Sequence, residues 1–179
     1  MEKTTEGIIR IAIVGPESTG KSTLAVQLAE YYNTTYAPEY AREYIDKLNR
    51  PYTFEDITEI SKGQIEQEDK AAAKANHLLF CDTNLLVTKI WAEHKYGHCP
   101  EWILNEIKSR KYSLYLLCNI DIPWEADPQR EHPHLREHLF EKYLSEVKKS
   151  GVPYVIISGL QKERTENAIK AVDKLLATA

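Results

Sequence analysis

The sequence predicts an α/β protein of three layers, a parallel sheet of about five strands between two layers of helices. Three observations predict it. Short apolar runs rich in β-branched residues alternate with segments of helical period along the chain. Those runs are apolar at consecutive positions, as strands buried on both faces of a parallel sheet must be. A glycine-bounded loop joins the first run to the first helical segment, the unit from which such sheets are wound by right-handed crossovers.

The elements follow in order. Ile8-Ile9-Arg10-Ile11-Ala12-Ile13-Val14 is the first strand, ending at Gly15. Lys21 to Tyr32 is a helix carrying Leu24, Ala25, Leu28, Tyr31 and Tyr32 near 3.6 spacing, with Asn33 as its stop. Thr34-Thr35-Tyr36-Ala37 is a weak strand that Pro38 closes. Thr53-Phe54-Glu55-Asp56 has the form of a capping box and opens a long helix to about Ala75, with Ile57, Ile60, Gln64 and Ile65 on one side. His77-Leu78-Leu79-Phe80-Cys81-Asp82 is a strand that ends in a carboxylate. A helix through Leu86, Ile90 and Trp91 follows, and Pro100 marks the start of another. Tyr112 to Cys118 and Pro153 to Ser158 are the last two strands, and Ala168, Val172, Leu175 and Leu176 mark a C-terminal helix. Between Asn119 and His138, Pro123, Pro128 and Pro133 break the rhythm, and this stretch is expected to be a lid.

Length and composition exclude several classes. At 179 residues, 42% hydrophobic and 28% charged, the chain is expected to form one globular domain over its whole length. Its 23 Lys and Arg against 27 Asp and Glu give a net charge of −4, which argues against a nucleic-acid partner. No apolar run has membrane-spanning length and the N-terminus lacks the apolar core of a secretory signal, so no membrane partner is expected. Cys81, Cys99 and Cys118 are odd in number and form no CxxC pair, which suits a reducing, cytoplasmic compartment. His132, His134 and His138 cluster in sequence without a second ligand pair at finger spacing, and zinc is not expected.

Gly15-Pro16-Glu17-Ser18-Thr19-Gly20-Lys21-Ser22 matches GxxxxGK followed by Ser or Thr, between a strand and a helix as that phosphate-binding loop requires. Its glycines let the backbone approach a polyphosphate, and its N–H groups, backed by the helix N-terminus, face the anion. Glu17, Ser18, Thr19 and Thr23 complete the nucleotide-binding set. Lys21 is expected to reach the β- and γ-phosphates, and Ser22 to place its hydroxyl on Mg²⁺. Asp82, at the end of its strand, is expected beside Ser22 as a second metal-holding group, helix capping being its other reading. No NKxD reader or DxxG switch is present, which argues against a GTPase, and the length excludes the large mechanical ATPases. A small-molecule kinase using ATP remains.

Several further blocks accompany the loop: Pro38-Glu39-Tyr40-Ala41-Arg42-Glu43-Tyr44, Gly63-Gln64, Phe80-Cys81-Asp82-Thr83-Asn84, Thr88-Lys89-Ile90-Trp91 and Pro123-Trp124. Together with the loop they resemble the ribosylnicotinamide kinase domain of the NadR family, from about Ile8 to the last helix. The resemblance implies transfer of phosphate from ATP to the 5′-hydroxyl of nicotinamide riboside, giving nicotinamide mononucleotide for NAD salvage. The adenylyltransferase signature and the helix-turn-helix module of the full-length family pattern are missing from the sequence, so neither of those activities is expected. A kinase for another nucleoside or a vitamin alcohol such as thiamine, and a non-catalytic ATP-binding regulator, are the rival readings.

An attacking primary hydroxyl must lose its proton late, to a placed base. Glu39, just after the second strand, is the first choice, with Asp82 and Glu43 as alternatives; a helix N-terminal charge is the other reading of Glu39. Arg42, three residues on, shares a face with Glu39 if a helix starts there. Tyr36, Tyr40, Trp91 and Trp124 are candidates to stack a cationic pyridinium ring. In the lid, Arg130 and Arg136 are candidates to close on the transferring phosphate, and Glu125 and Asp127 to contact substrate. Gly159, after the fifth strand, and Arg164 are expected to border the adenine.

Overall fold

The computed structural model describes residues 6–131 and 134–178. Five strands form one sheet, β1 (Ile9–Val14), β2 (Thr35–Ala37), β3 (Leu78–Asp82), β4 (Leu114–Cys118) and β5 (Tyr154–Ile157), in the order β2-β3-β1-β4-β5. Every neighbouring pair is parallel, so all five strands end on the same edge. The first and third strands are neighbours, with Ile13 opposite Asp82.

The period-2 alternation of β1 divides the core between two faces. Ile11 and Ile13 pack with Phe80 and Leu116 under α1 (Lys21–Tyr31) and α7 (Gln161–Thr178). Ala12 and Val14 face the other way, toward Leu86 and Ile90 of α4 (Leu85–Tyr96) and Leu139, Tyr143 and Val147 of α6 (Arg136–Ser150). On that side α3 (Phe54–Lys74) lies over β2 and β3 through Ala72, and α5 (Glu101–Ser109) buries Ile103 against Ile57 and Ala92. The capping box at Thr53 and Asp56 is formed as expected. Asp56 also accepts from the Tyr44 hydroxyl and from Arg50, which holds its carboxyl well below the usual range.

Two elements correct the expected rhythm. The segment after Glu39 is a helix, α2 (Tyr40–Lys47), and none of its residues is buried. The lid expected through His138 gives way to α6 at Arg136, because Leu139, Tyr143 and Val147 make an apolar stripe at spacing four. That helix ends on Gly151 at φ 72, a left-handed cap. The N-terminal residues 1–5, examined for a leader, and His132 and Pro133 of the lid lie outside the described residues. Among the described residues no helix is long and apolar enough to cross a membrane.

At the sheet edge away from the glycine loop, α3 is tied to the sheet by a buried charge cluster. Glu68, 1% exposed, accepts from Arg10 at 2.5 Å, Arg110 at 3.1 Å and the Tyr112 hydroxyl at 2.8 Å. Removing the anion would leave two mostly buried guanidinium groups facing each other, with the exposed Asp69 as the remaining acidic partner. We expect Glu68→Ala to lower stability by about 3 kcal/mol in urea unfolding, the usual cost of breaking a buried ion pair. A loss below about 1 kcal/mol would show that water reaches this cluster.

Candidate active site

The loop after β1 is shaped by backbone that only small residues permit. Gly15 has φ +144, and a Cβ there would lie 2.9 Å from the Cys118 carbonyl of the neighbouring strand. Ser18 sits at φ 58, and Gly20 at φ 79 is the N-cap of α1. The Thr19 hydroxyl and Lys21 Nζ both donate to the Pro16 carbonyl at 2.8 Å, closing the loop on itself. Arg164, 5% exposed on α7, ties three segments together: it donates to the carbonyls of Thr19, Asn119 and Gly159 and to the Asp121 carboxylate. Gly159 N–H also donates to Asp121, at 2.7 Å.

Beneath the loop, the Ser22 hydroxyl donates to Asp82 Oδ2 at 2.5 Å. Asp82 is 2% exposed, and its Oδ1 has no hydrogen-bond partner among the described residues. Burial, with Glu39's charge adding to it, pushes the carboxyl up to about 6. Helix capping is not its task, since Asn84 Oδ1 accepts the Leu86 N–H at 3.1 Å and caps α4 instead. Between them Thr83 turns at φ 72, a costly conformation for a β-branched residue, held by its N–H to the Ile13 carbonyl. A hydroxyl beside a carboxylate with an unpaired oxygen is a donor set that suits a hard divalent cation.

One cleft of 680 Å³ runs along this edge, within the range of small-molecule sites. It brings together residues 15–24 of the loop and α1 with the sequence candidates Glu39, Arg42, Trp91, Glu125, Arg130 and Arg164, while Asp82 lies outside its lining. Glu39 is the N-cap residue of α2, yet its side chain makes no capping bond. Arg42 pairs with Asp127 of the lid at 3.0 Å; the Gln129 N–H and Arg42 together hold the Asp127 carboxyl below its ordinary value.

Other candidates stand elsewhere. Tyr36 is exposed on β2 and Tyr40 packs its ring over Gly63, so neither lines the cleft. Trp124 lies beside the Arg136 guanidinium, 5.9 Å from ring centroid to Cζ, and outside the lining. Asp127, Gly159 and Arg136 are likewise behind the wall rather than in it. Arg136 donates to the carbonyls of Ser18 and Ile122, and Arg130 to the carbonyl of Glu125. Arg136 therefore holds the lid to the loop while Arg130 closes the lid on itself, because carbonyls without helical or sheet partners draw the nearest cations. Cys81 and Cys118 are buried thiols, and burial raises Cys118 to about 11.

Sequence reasoning missed Tyr52 and Glu131. The Tyr52 ring meets Trp91 edge-on at 4.8 Å, and its hydroxyl accepts from Trp91 Nε1 and donates to Glu131. Lys95 also reaches Glu131, at 3.3 Å, and the Glu131 N–H donates to Glu17 of the loop. Tyr52 precedes a capping box and Glu131 sits in the lid; no local pattern connects them.

This fold and site define a nucleotide-binding protein of the P-loop class. Residues 10–164 match the AAA domain family, and the chain belongs to that family. It is similar to the trifunctional NAD biosynthesis/regulator protein NadR of Escherichia coli and of Salmonella typhimurium, 33% identical to each over 126 residues. That match takes in 67% of this chain and 30% of each relative, so the chain spans under a third of the length of the curated proteins it matches. Among solved structures, NadR in complex with NR superposes with a TM-score of 0.77 at 24% identity, over 96% of this chain and 50% of that one. A deoxyadenosine kinase from M. mycoides gives 0.63 at 14% identity, over 93% of this chain and 100% of that one. The expected resemblance to the NadR family and the α/β fold of nucleoside kinases are both borne out.

The raised Asp82 makes a prediction about pH. The folded state binds this proton more tightly than the unfolded chain, whose aspartates titrate near 3.8, so the group's contribution to stability is lost as pH rises from about 4 to about 6. Asp82→Asn keeps an acceptor for Ser22 without the buried charge. We expect the metal-free variant to exceed wild type at about pH 7, by on the order of 2–3 kcal/mol, with the difference vanishing near pH 4 in thermal unfolding. A variant less stable than wild type at about pH 7 would contradict this electrostatic reading.

Proposed function

We propose that this chain is a kinase that transfers the γ-phosphoryl group of ATP to the 5′-hydroxyl of nicotinamide riboside, giving nicotinamide mononucleotide and ADP. The observation that carries the reading is one cleft lined by the phosphate loop, Ser22 and Glu39, with the buried Asp82 bonded to Ser22 beneath it. Its similarity to NadR favours a pyridine nucleoside as the acceptor.

The loop N–H groups and Lys21 hold the triphosphate and offset the charge that spreads over the transferring group. Ser22 and Asp82 would hold Mg²⁺, which supplies further positive charge at the phosphate oxygens. Glu39 accepts the hydroxyl proton as the new O–P bond forms and the bond to the β-phosphate oxygen breaks. On the acceptor side Trp91 and Tyr52 offer aromatic surface, with the carboxylates of Glu17, Glu39 and Glu131 around it. Aromatic faces and nearby anions together favour a cationic ring such as pyridinium. Tyr52 takes the stacking role first assigned to Tyr36, Tyr40 and Trp124.

The test is product analysis by mass spectrometry with ATP, Mg²⁺ and a panel of nicotinamide riboside, deoxyadenosine, thymidine and thiamine. Nicotinamide mononucleotide should form in step with ADP. Product from another acceptor alone would keep the kinase and replace the substrate, and ATP binding without turnover on any acceptor would favour the regulator. Lys21→Ala should reduce turnover at least about 10²-fold, as loss of a charge-stabilising donor does. Glu39→Gln should reduce kcat by roughly 10²–10⁴-fold with little change in the KM for ATP, the range for losing a general base.

A further inference from the structure

Glu39 occupies the N-cap position of a helix with no buried residue, a poor foundation for a group that must be placed to a fraction of an ångström. Its flanking peptide groups are held from outside. Gln64, on α3 and 3% exposed, accepts the Tyr40 N–H on its Oε1 at 2.8 Å and donates from Nε2 to the Pro38 carbonyl at 3.2 Å. One side-chain amide thus bridges the residue before Glu39 and the residue after it. Its neighbour Gly63 completes the seat: a Cβ there would lie 1.9 Å from Tyr40 Cε1, so the Tyr40 ring rests directly on the α3 backbone.

We propose that Gln64 is a positioning residue for phosphoryl transfer, fixing Glu39 by clamping the peptide groups on either side of it. The inference rests on the reading of Glu39 as the base. The chemistry calls for an amide, because the clamp needs one acceptor and one donor on the same planar group, and Gln is long enough to supply both. By taking the Tyr40 N–H, Gln64 satisfies one of the free N–H groups at the start of α2, while the Glu39 carboxylate makes no capping bond and lines the cleft. α3 is a firm base for the clamp, since Ile57, Ile60 and Ala72 are in the core and Glu68 is bonded to both sides of the sheet's far edge. A glutamate at position 64 would keep the bond from Tyr40 but set a second carboxylate against the Pro38 carbonyl and near Glu39.

The test compares Gln64→Leu, Gln64→Glu, Glu39→Gln and the double variant Glu39→Gln with Gln64→Leu. Two readouts are used: kinetics with ATP, Mg²⁺ and nicotinamide riboside, and hydrogen exchange at the Tyr40 amide, which reads the clamp without substrate. In Gln64→Leu we expect Tyr40 exchange to quicken roughly tenfold, the worth of about one hydrogen bond. We expect kcat to fall about 10²-fold while the KM for ATP stays within about twofold, since no residue of α3 lines the cleft. The double variant should be no slower than Glu39→Gln, because the clamp has no other task in the reaction. If Gln64→Leu fails to fold, Gln64→Glu, which keeps the Tyr40 bond and loses the bond to the Pro38 carbonyl, carries the kinetic comparison, with Tyr40 exchange expected unchanged. Unchanged Tyr40 exchange in Gln64→Leu, losses that multiply in the double variant, or a fast position-64 variant beside a slow Glu39→Gln would overturn the clamp alone. A fast Glu39→Gln would overturn the base assignment, and the clamp's role with it.

Discussion

Parallel pairing of β1 with β3, in the register that sets Ile13 opposite Asp82, is the constraint on which the site depends. It brings the end of one strand beside the loop that leaves the other, so Ser22 and Asp82 meet although 60 residues separate them. Since all five strands run the same way, everything that follows a strand emerges on one edge: the phosphate loop after β1, Glu39 after β2, Asp82 at the end of β3, the lid after β4 and Gly159 after β5. Open parallel sheets bind ligands on that edge for this reason. The Glu68 cluster stabilises the opposite edge, where no loop of the cleft passes.

A second regularity concerns which groups cap the helices. Glu39 and Asp82 each stand at or just before a helix start, where a carboxylate usually serves the free N–H groups. In both places an amide does that work instead, Gln64 for α2 and Asn84 for α4. The two carboxylates are thereby left without a capping task, Glu39 lining the cleft and Asp82 buried beneath Ser22, close enough for the charge of Glu39 to help raise Asp82. Burying Asp82 with one oxygen unpaired, and turning the chain at Thr83, both destabilise the fold. Strain and unpaired polarity gathered around one strand end are what a built binding site looks like, and core packing offers no use for either.

The lid shows the same economy in its arginines. From the sequence, Arg130 and Arg136 are candidates for the transferring phosphate because planar cations in a proline-rich segment suit that role. Instead they bind the carbonyls of Glu125, Ser18 and Ile122, and the acceptor end is walled by Tyr52, Trp91 and Glu131. Arg42 and Gln129 join α2 to the lid through Asp127 and Asp46. Lid, loop and α2 are therefore joined through these polar contacts.

How much was legible follows from the range of each interaction. The phosphate loop, the strand ends and the capping box of α3 are written in residues a few positions apart, where spacing alone dictates backbone hydrogen bonding and apolar period. The helix α6 was not expected from the sequence, although its Leu139, Tyr143 and Val147 stripe is there, because the prolines and charges just before it masked its start. By itself, then, the sequence determined the α/β class, the nucleotide loop and the carboxylate at the end of β3. Tertiary structure alone decided that Tyr52 rather than Tyr36 or Tyr40 faces the cleft, that Glu131 reaches Tyr52 across 79 residues, and that amides cap where carboxylates could. The physical reason is that aromatic rings, guanidinium groups and amides find partners by proximity in the folded chain, and that proximity depends on how helices settle on the sheet, which no local spacing encodes.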